Sequence, residues 1–360
     1  MPVSWLREHA CPVVKWRTVR DILPADAASA ADRQALLAEL AASKQVTQIL
    51  RKQKPNGTWG DNILGADLAR GRVLPGEGSI TQYRRLVEFG VPHEERAYRL
   101  AERVFFRLLS RDEAPELLYE FRGAGKADPL VSAWVRTQMR EAAAVALAHG
   151  GLVDDPRVRG AAHRIASDVS QFLRSELAEK PFVRRGNRTL LHPEAYPPSL
   201  YSVSMIAYMP SLQRERAGFV ERLASYLAQP ARKRDAVVQA GRRFFRPVLV
   251  LLGDPLHADA AGRTDDIPFA LYWIEILVRL GMLHTSATAQ RVLGRLLKEC
   301  DARGVWSPKT LRSIPKSPSN LANFWFPLEP DGKLPERRQS DVTLRLALIA
   351  KLAGWQLNYT

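Results

Sequence analysis

Apolar residues recur at three- and four-residue spacing through most of the chain. Between Ala31 and Lys52 they fall at Leu36, Leu37, Leu40, Val46, Ile49 and Leu50, the spacing of one helix face. Val131–Ala148 is rich in strong helix formers and contains neither Pro nor Gly. The same pattern predicts helices over Ala161–Glu179, Leu212–Ala228, Asp235–Leu252, Pro268–Leu280, Ser286–Asp301 and Asp341–Ala353. No stretch alternates strictly enough to predict a strand. Pro and Gly cluster between the helical runs, where they end them. Gly90, Gly150 and Gly281 each follow an apolar run, the place of a left-handed C-terminal cap. Val3–Leu23, with Trp5, Leu6, Val13, Val14, Trp16, Val19, Ile22 and Leu23, reads as a helical preface within residues 1–30. Nothing is long or polar enough to be a linker, so one domain over residues 1–360 is expected.

One segment occurs twice. Leu50-Arg51-Lys52-Gln53-Lys54-Pro55-Asn56-Gly57-Thr58-Trp59-Gly60 returns in outline as Leu297-Lys298-Glu299-Cys300-Asp301-Ala302-Arg303-Gly304-Val305-Trp306-Ser307. Each copy runs Leu, a basic residue, five variable residues, Gly, one residue, Trp. Internal repetition of this kind marks helical hairpins that bury their apolar stripes against neighbours. Gly permits positive φ after a helix, and Trp buries a large area. Gln can bond backbone groups left free at a helix end. Gln53, Gly57, Trp59, Gly304 and Trp306 therefore read as structural residues of a repeat.

The stretch Gln53…Asn56-Gly57-Thr58-Trp59-Gly60 resembles the Gln-Trp motif of squalene and oxidosqualene cyclases, Q-x-x-D/N-G-S/T-W-G. Related motifs occur in the wider α/α-toroid superfamily, which includes the protein prenyltransferase β subunits. The chain is similar to single-toroid bacterial proteins with this repeat. The resemblance implies an all-α fold, an α/α-toroid of helical hairpins, with an isoprenoid or other apolar ligand in a central cavity. It carries over neither known activity. The Asp-x-Asp-Asp acid motif of the cyclases is absent from the sequence, and Cys300-Asp301 does not reproduce the Asp, Cys and His that bind zinc in the prenyltransferases.

Composition narrows the classes. Hydrophobic residues make up 46% and charged residues 25%, the balance of a soluble globular protein. No nearly apolar run, Pro247–Gly253 among them, approaches the roughly 20 residues that span a bilayer. The start, Met1-Pro2-Val3-Ser4-Trp5-Leu6-Arg7, has no apolar signal core, so a cytoplasmic protein is expected. Cys11 and Cys300 are too few for a disulfide framework or a thiolate zinc cluster. No metal site is expected, and no cofactor is indicated. Net charge is +15, which favours anionic partners. The basic residues are spread along the chain, however, with short clusters at Arg184-Arg185, Arg232-Lys233-Arg234, Arg242-Arg243 and Arg337-Arg338. A dispersed excess reads first as an arginine-rich composition and only second as a nucleic-acid surface.

Candidate chemistry gathers where inner helices of a toroid would start, because helix N-termini favour carboxylates and anions. Four segments have that character: Gly78–Tyr83, His192–Tyr201, Thr264–Pro268 and Gln339–Thr343. Asp265 and Asp266 are the nearest thing to an acid pair, since adjacent carboxylates in a dry cavity share a proton. Tyr272, Trp273, Trp325 and Phe326 could form a cation-stabilising wall. The competing reading is a helix capped by Thr264 or Asp265, with aromatics in the core. His192, beside Glu194 and Tyr196, could move protons, and Tyr83, Tyr201 and Asp341 complete the candidate ligand-binding set. Lys316–Asn320 lacks phosphate-loop glycines. A different class, a non-catalytic helical-repeat scaffold, would bind nucleic acid or an acidic partner if Arg184, Arg185, Arg188, Arg242 and Arg243 shared one surface.

Overall fold

The computed structural model describes the chain except residues 111–113, 122–128, 233, 241, 357, 358 and 360, and describes only the backbone at 115, 130, 131, 240 and 243. The structure is mostly helical, 54% helix against 6% strand. In chain order the helices are α1 (Val3–His9), α2 (Pro12–Arg17), α3 (Ala30–Ala42), α4 (Lys44–Lys52), α5 (Ser79–Phe89), α6 (Arg96–Leu109) and α7 (Pro129–His149). They continue as α8 (Pro156–Leu173), α9 (Leu200–Ala207), α10 (Pro210–Glu215), α11 (Ala217–Leu227), α12 (Ile267–Arg279), α13 (Ala287–Lys298) and α14 (Pro335–Leu352). Strands β1 (Ala66–Asp67) and β2 (Arg72–Val73), β3 (Phe182–Arg185) and β4 (Arg188–Leu191), and β5 (Val238–Ala240) and β6 (Arg243–Phe245) pair as three antiparallel hairpins. Among the described residues no helix is long and apolar enough to cross a membrane.

Several sequence expectations change. No strand is predicted from the sequence, yet these three short hairpins form. The predicted helix Ala31–Lys52 is two helices, because Ser43 is extended (φ −64°, ψ 138°). The run Leu212–Ala228 breaks at Arg216 (φ −129°, ψ 40°). The predicted helix Asp235–Leu252 is instead the β5–β6 hairpin followed by a turn and irregular chain, in which Leu251 N–H donates to the Pro198 carbonyl at 2.8 Å. Val237-Val238 and Phe244-Phe245 favour strand, and Pro247 cannot continue a helix. Apolar spacing alone does not separate these cases in a short run.

Contacts gather the chain into two compact units. The first comprises Met1–Lys52, Arg84–Glu95 and Leu256–Thr360. At its centre is α12, in which Pro268 through Leu277 are buried without interruption; a helix apolar on all sides belongs inside. It packs on α13 and α14, and α14 also meets α1. This interior holds charge as well as apolar side chains. Glu88 Oε2 accepts from Arg17 Nη1 and from Arg345 Nη1, each at 2.8 Å. The Arg345 guanidinium lies 3.7 Å from the Trp325 ring centre. Trp325 Nε1 donates to Glu275 Oε2 at 3.2 Å, and Glu275 Oε1 accepts from Arg279 at 2.8 Å. Buried charges persist only with such partners.

The second unit comprises Gln53–Tyr83 and Arg96–Pro255. All eight residues of α9 are buried, as are Ala142–Ala148 of α7. Around them α8 buries Val158, Ala162, Ile165, Val169 and Phe172, the single stripe of an outer helix. Within this unit α7 packs against α6, α8 and α9, and α11 packs against α8.

The two copies of the repeated segment share one backbone plan. In the first, Lys54 N–H donates to Thr58 O at 2.8 Å and Gly57 N–H to Lys54 O at 2.9 Å. In the second, Asp301 N–H donates to Val305 O at 2.9 Å and Gly304 N–H to Asp301 O at 2.9 Å. Gly57 and Gly304 have φ of +88° and +84°, the region Gly enters without steric cost. Trp59 N–H donates to the Ser79 hydroxyl at 3.0 Å, and Trp306 N–H to the Thr343 hydroxyl at 3.1 Å. Gln53 Nε2 bonds its own loop at Gly57 O (3.1 Å) and the first turn of α6 at Ala97 O (2.8 Å).

Candidate functional site

In the first unit the acidic pair separates into two roles. Asp266 is the N-cap of α12 and accepts from Phe269 N–H at 3.0 Å. Its other oxygen accepts the Ser317 hydroxyl at 2.8 Å, the Ser319 hydroxyl, and Ser319 N–H at 3.3 Å. Asp265 is exposed. The capping residue is therefore Asp266, one or two positions beyond the Thr264 or Asp265 read from sequence, and Ser317-Pro318-Ser319 is the loop that ties to it. Nothing local in that loop signals a partner fifty residues away.

The aromatic candidates are packed against one another. Tyr272 has zero exposure and accepts from Arg84 Nη2 at 3.0 Å. Its ring meets Phe324 and Trp325 edge-on at 5.3 and 5.6 Å. Trp273 is fully buried and Phe326 nearly so. Asp341 lies well inside α14, which starts at Pro335, and does not stand at a helix start as its sequence context suggests. Its carboxylate accepts from Leu328 N–H and faces Arg345 Nε at 3.7 Å. Burial lifts its pKa to about 6 against the pull of Arg345.

In the second unit the tyrosines are also committed. The Tyr83 hydroxyl donates to Glu102 Oε1 at 2.9 Å, with Tyr98 and Phe105 edge-on to its ring at 5.1 Å. The Tyr201 hydroxyl donates to Leu64 O at 3.3 Å. His192 Nδ1 accepts from Glu194 N–H at 3.2 Å. His192 borders a void of only about 20 Å³, room for little more than one water. These sequence-selected residues do not converge on one cavity.

A cleft of about 590 Å³ lies elsewhere in the second unit, within the size range of small-molecule sites. Thr137 of α7, Asp168, Gln171 and Phe172 of α8, and Ser175, Leu177, Glu194 and Tyr196 from the connections line it. Asp168 and Gln171 share the face because they are three apart on one helix. Phe172 and Leu177 supply apolar wall. Burial raises the Asp168 pKa, against Arg140 and Arg164. Burial, with Asp168 and Glu194 nearby, raises that of the Tyr196 phenol.

Behind this wall sits Glu141 of α7, only 3% exposed. Burial lifts its pKa to about 8, opposed by the Ser199 hydrogen bond, reinforced by Asp168 and opposed by Arg140. The Ser199 hydroxyl donates to Glu141 Oε2 at 2.6 Å. Ser199 is held there because it is the N-cap of α9 in a capping box with Ser202. Sequence reasoning selected Glu194 and Tyr196 but passed over Glu141 and Asp168. Each is the sole carboxylate of its own helix, and the one available signal was Glu141 standing directly before the apolar run Ala142–Ala148.

Such an arrangement can hold and move a proton. It offers one carboxyl of raised pKa, Asp168, together with a phenol and neutral hydrogen-bonding groups, to one ligand-sized space. Among the described residues no group of three or more His, Cys, Asp or Glu is placed to hold a metal ion. In comparisons with known proteins, the chain matches no family model, no curated protein and no solved structure.

Proposed function

We propose that this chain is an α/α-toroid repeat protein and that its working site is the carboxylate cleft of the second unit. Support for the toroid comes from the matching backbone of the two Gly-x-Trp segments and from fully buried helices flanked by one-faced ones. In this reading Asp168 meets the ligand as general acid–base, Tyr196 and Gln171 orient it, and Glu141 tunes the site from behind without touching it. The observation that carries the proposal is a raised-pKa carboxyl on the cleft wall, backed by a buried second one held by Ser199.

The ligand is uncharged or cationic. Asp168 and Glu194 on the lining repel an anion. A lone carboxylic acid whose pKa burial raises, as at Asp168, is too weak an acid to protonate an isolated alkene, but is suited to proton transfer with a heteroatom. If the ligand is an isoprenoid, it is then the alcohol and not the diphosphate. This departs from acid chemistry at Asp265 and Asp266, since Asp266 is occupied as a cap.

Ligand-observed NMR with neutral, cationic and anionic small molecules, geranylgeraniol included, tests the reading. Neutral or cationic binders that lose at least tenfold in affinity with Asp168→Asn support it. Binders that are mainly anionic, or that ignore the substitution, overturn it.

A further inference from the structure

The segments 180–191 and 230–247 hold ten Lys or Arg residues and a single acidic residue, Asp235. They therefore account for nine of the chain's fifteen net positive charges. The fold brings these two segments together. Leu191 N–H of β4 donates to Val237 O beside β5 at 2.8 Å. Arg234 Nη1 donates to the Thr189 hydroxyl of β4 at 3.3 Å. The Arg188 guanidinium lies 4.2 Å from the Phe244 ring centre of β6. Arg184, Arg185, Arg188, Arg232, Arg234, Arg242 and Arg246 are all exposed. Among the described residues none of these seven has a carboxylate within ion-pair distance; their bonds go to carbonyls and a hydroxyl, such as Arg232 to Ala178 O and Arg246 to Ala69 O.

The β3–β4 hairpin concentrates this charge at its tip. Arg185 stands directly opposite Arg188 across the turn, and Arg184 opposite Thr189. Like charges directly opposed across strands destabilise a hairpin, so folding alone does not favour this pair. Neighbouring residues on a strand point to opposite faces, so Arg184 and Arg185 make both faces of the ribbon basic.

We infer that this pair of hairpins is a nucleic-acid-binding surface, with the β3–β4 ribbon contacting the phosphodiester backbone along a groove. A two-stranded ribbon fits the major groove of duplex DNA. Arginine forks match phosphate oxygens bidentately. A membrane surface fits less well, because among the described residues the large exposed apolar side chains, Leu297, Leu334, Leu352, Trp355 and Tyr359, lie outside these segments. This surface is independent of the cleft proposal.

The test is fluorescence anisotropy of the full chain with a labelled DNA duplex of about two helical turns, titrated between about 50 and 200 mM NaCl. The variants are Arg184→Gln/Arg185→Gln/Arg188→Gln on one hairpin, Arg232→Gln/Arg234→Gln beside the other, and Arg51→Gln/Lys52→Gln as a control of exposed charge elsewhere. Circular dichroism melts establish that each is folded. The expected result is at least tenfold weaker binding for the triple variant, with its log affinity–log salt slope shallower by about 2.7, at about 0.9 per lost phosphate contact. A smaller loss is expected for the double variant and little for the control. No binding by the parent chain, or equal losses in all three, overturns the inference. So does hairpin-dependent binding to phosphatidylserine vesicles without binding to DNA.

Discussion

Glu141 couples the stability of the chain to pH. Its carboxyl is raised to about 8 by burial, against about 4.3 in an unfolded chain. Between these values the folded state holds a proton that the unfolded state has released. Its contribution to stability is therefore complete below the unfolded pKa and is lost as pH rises toward 8. Removing that titration with Glu141→Gln should make the variant gain on the parent chain as pH rises from 5 to 8. The gain approaches about 1.4 kcal/mol per pH unit. Urea midpoints of the two proteins across that range check it, and parallel profiles would place the titration elsewhere. Asp341, raised to about 6 by burial in the first unit, acts in the same direction over a narrower window.

Gly57 and Gly304 differ at the same scale. Both have positive φ, which costs another residue about 1–2 kcal/mol. A Cβ on Gly57 would also stand 2.2 Å from the Leu100 carbonyl oxygen, whereas one on Gly304 meets nothing nearer than Pro2 Cδ at 3.4 Å. Gly57→Ala should therefore destabilise the protein clearly more than Gly304→Ala in denaturant titrations. Equal costs would mean that the Leu100 backbone yields freely.

At the scale of elements, α12 separates capping from acid chemistry. Asp266→Ala removes a cap worth about 0.5–2 kcal/mol and also releases Ser317 and Ser319. Asp265→Ala changes an exposed side chain and should stay within about 0.5 kcal/mol. Thermal melts of the two variants distinguish these roles; comparable losses would contradict the cap. Helix positions were largely legible in the apolar spacing, because outer helices such as α8 show one buried stripe. Their breaks were not. Ser43 and Arg216 interrupt runs that have helical composition on both sides. The β5–β6 hairpin does not show in the sequence because its pairing with β4 through Leu191 and Val237 is nonlocal, and short apolar runs have the same composition in either state.

For the whole molecule, the first unit is assembled from three separated stretches of chain. Its interior charges draw on all three: Arg17 from the first, Glu88 from the second and Arg345 from the third. Without residues 256–360, Glu88 loses Arg345 and α1 loses α14. A fragment of residues 1–255 should therefore leave residues 1–52 without protection in hydrogen exchange, whereas the intact chain protects them. Full protection in the fragment would show that this segment folds without its distant partners.

The helical class, the repeated Gly-x-Trp turn and the apolar faces were legible along the chain, because each depends on residues close together in it. The sequence also placed Trp59 and Trp306 in equivalent settings before any coordinates. Which side chains share a space follows from how the helices and hairpins pack. Glu141 and Asp168 stand on different helices, Asp266 finds its partners in a loop fifty residues away, and arginine clusters that look dispersed along the chain meet on neighbouring hairpins. Burial and pairing of charges are properties of three-dimensional neighbourhoods, and local spacing does not encode them.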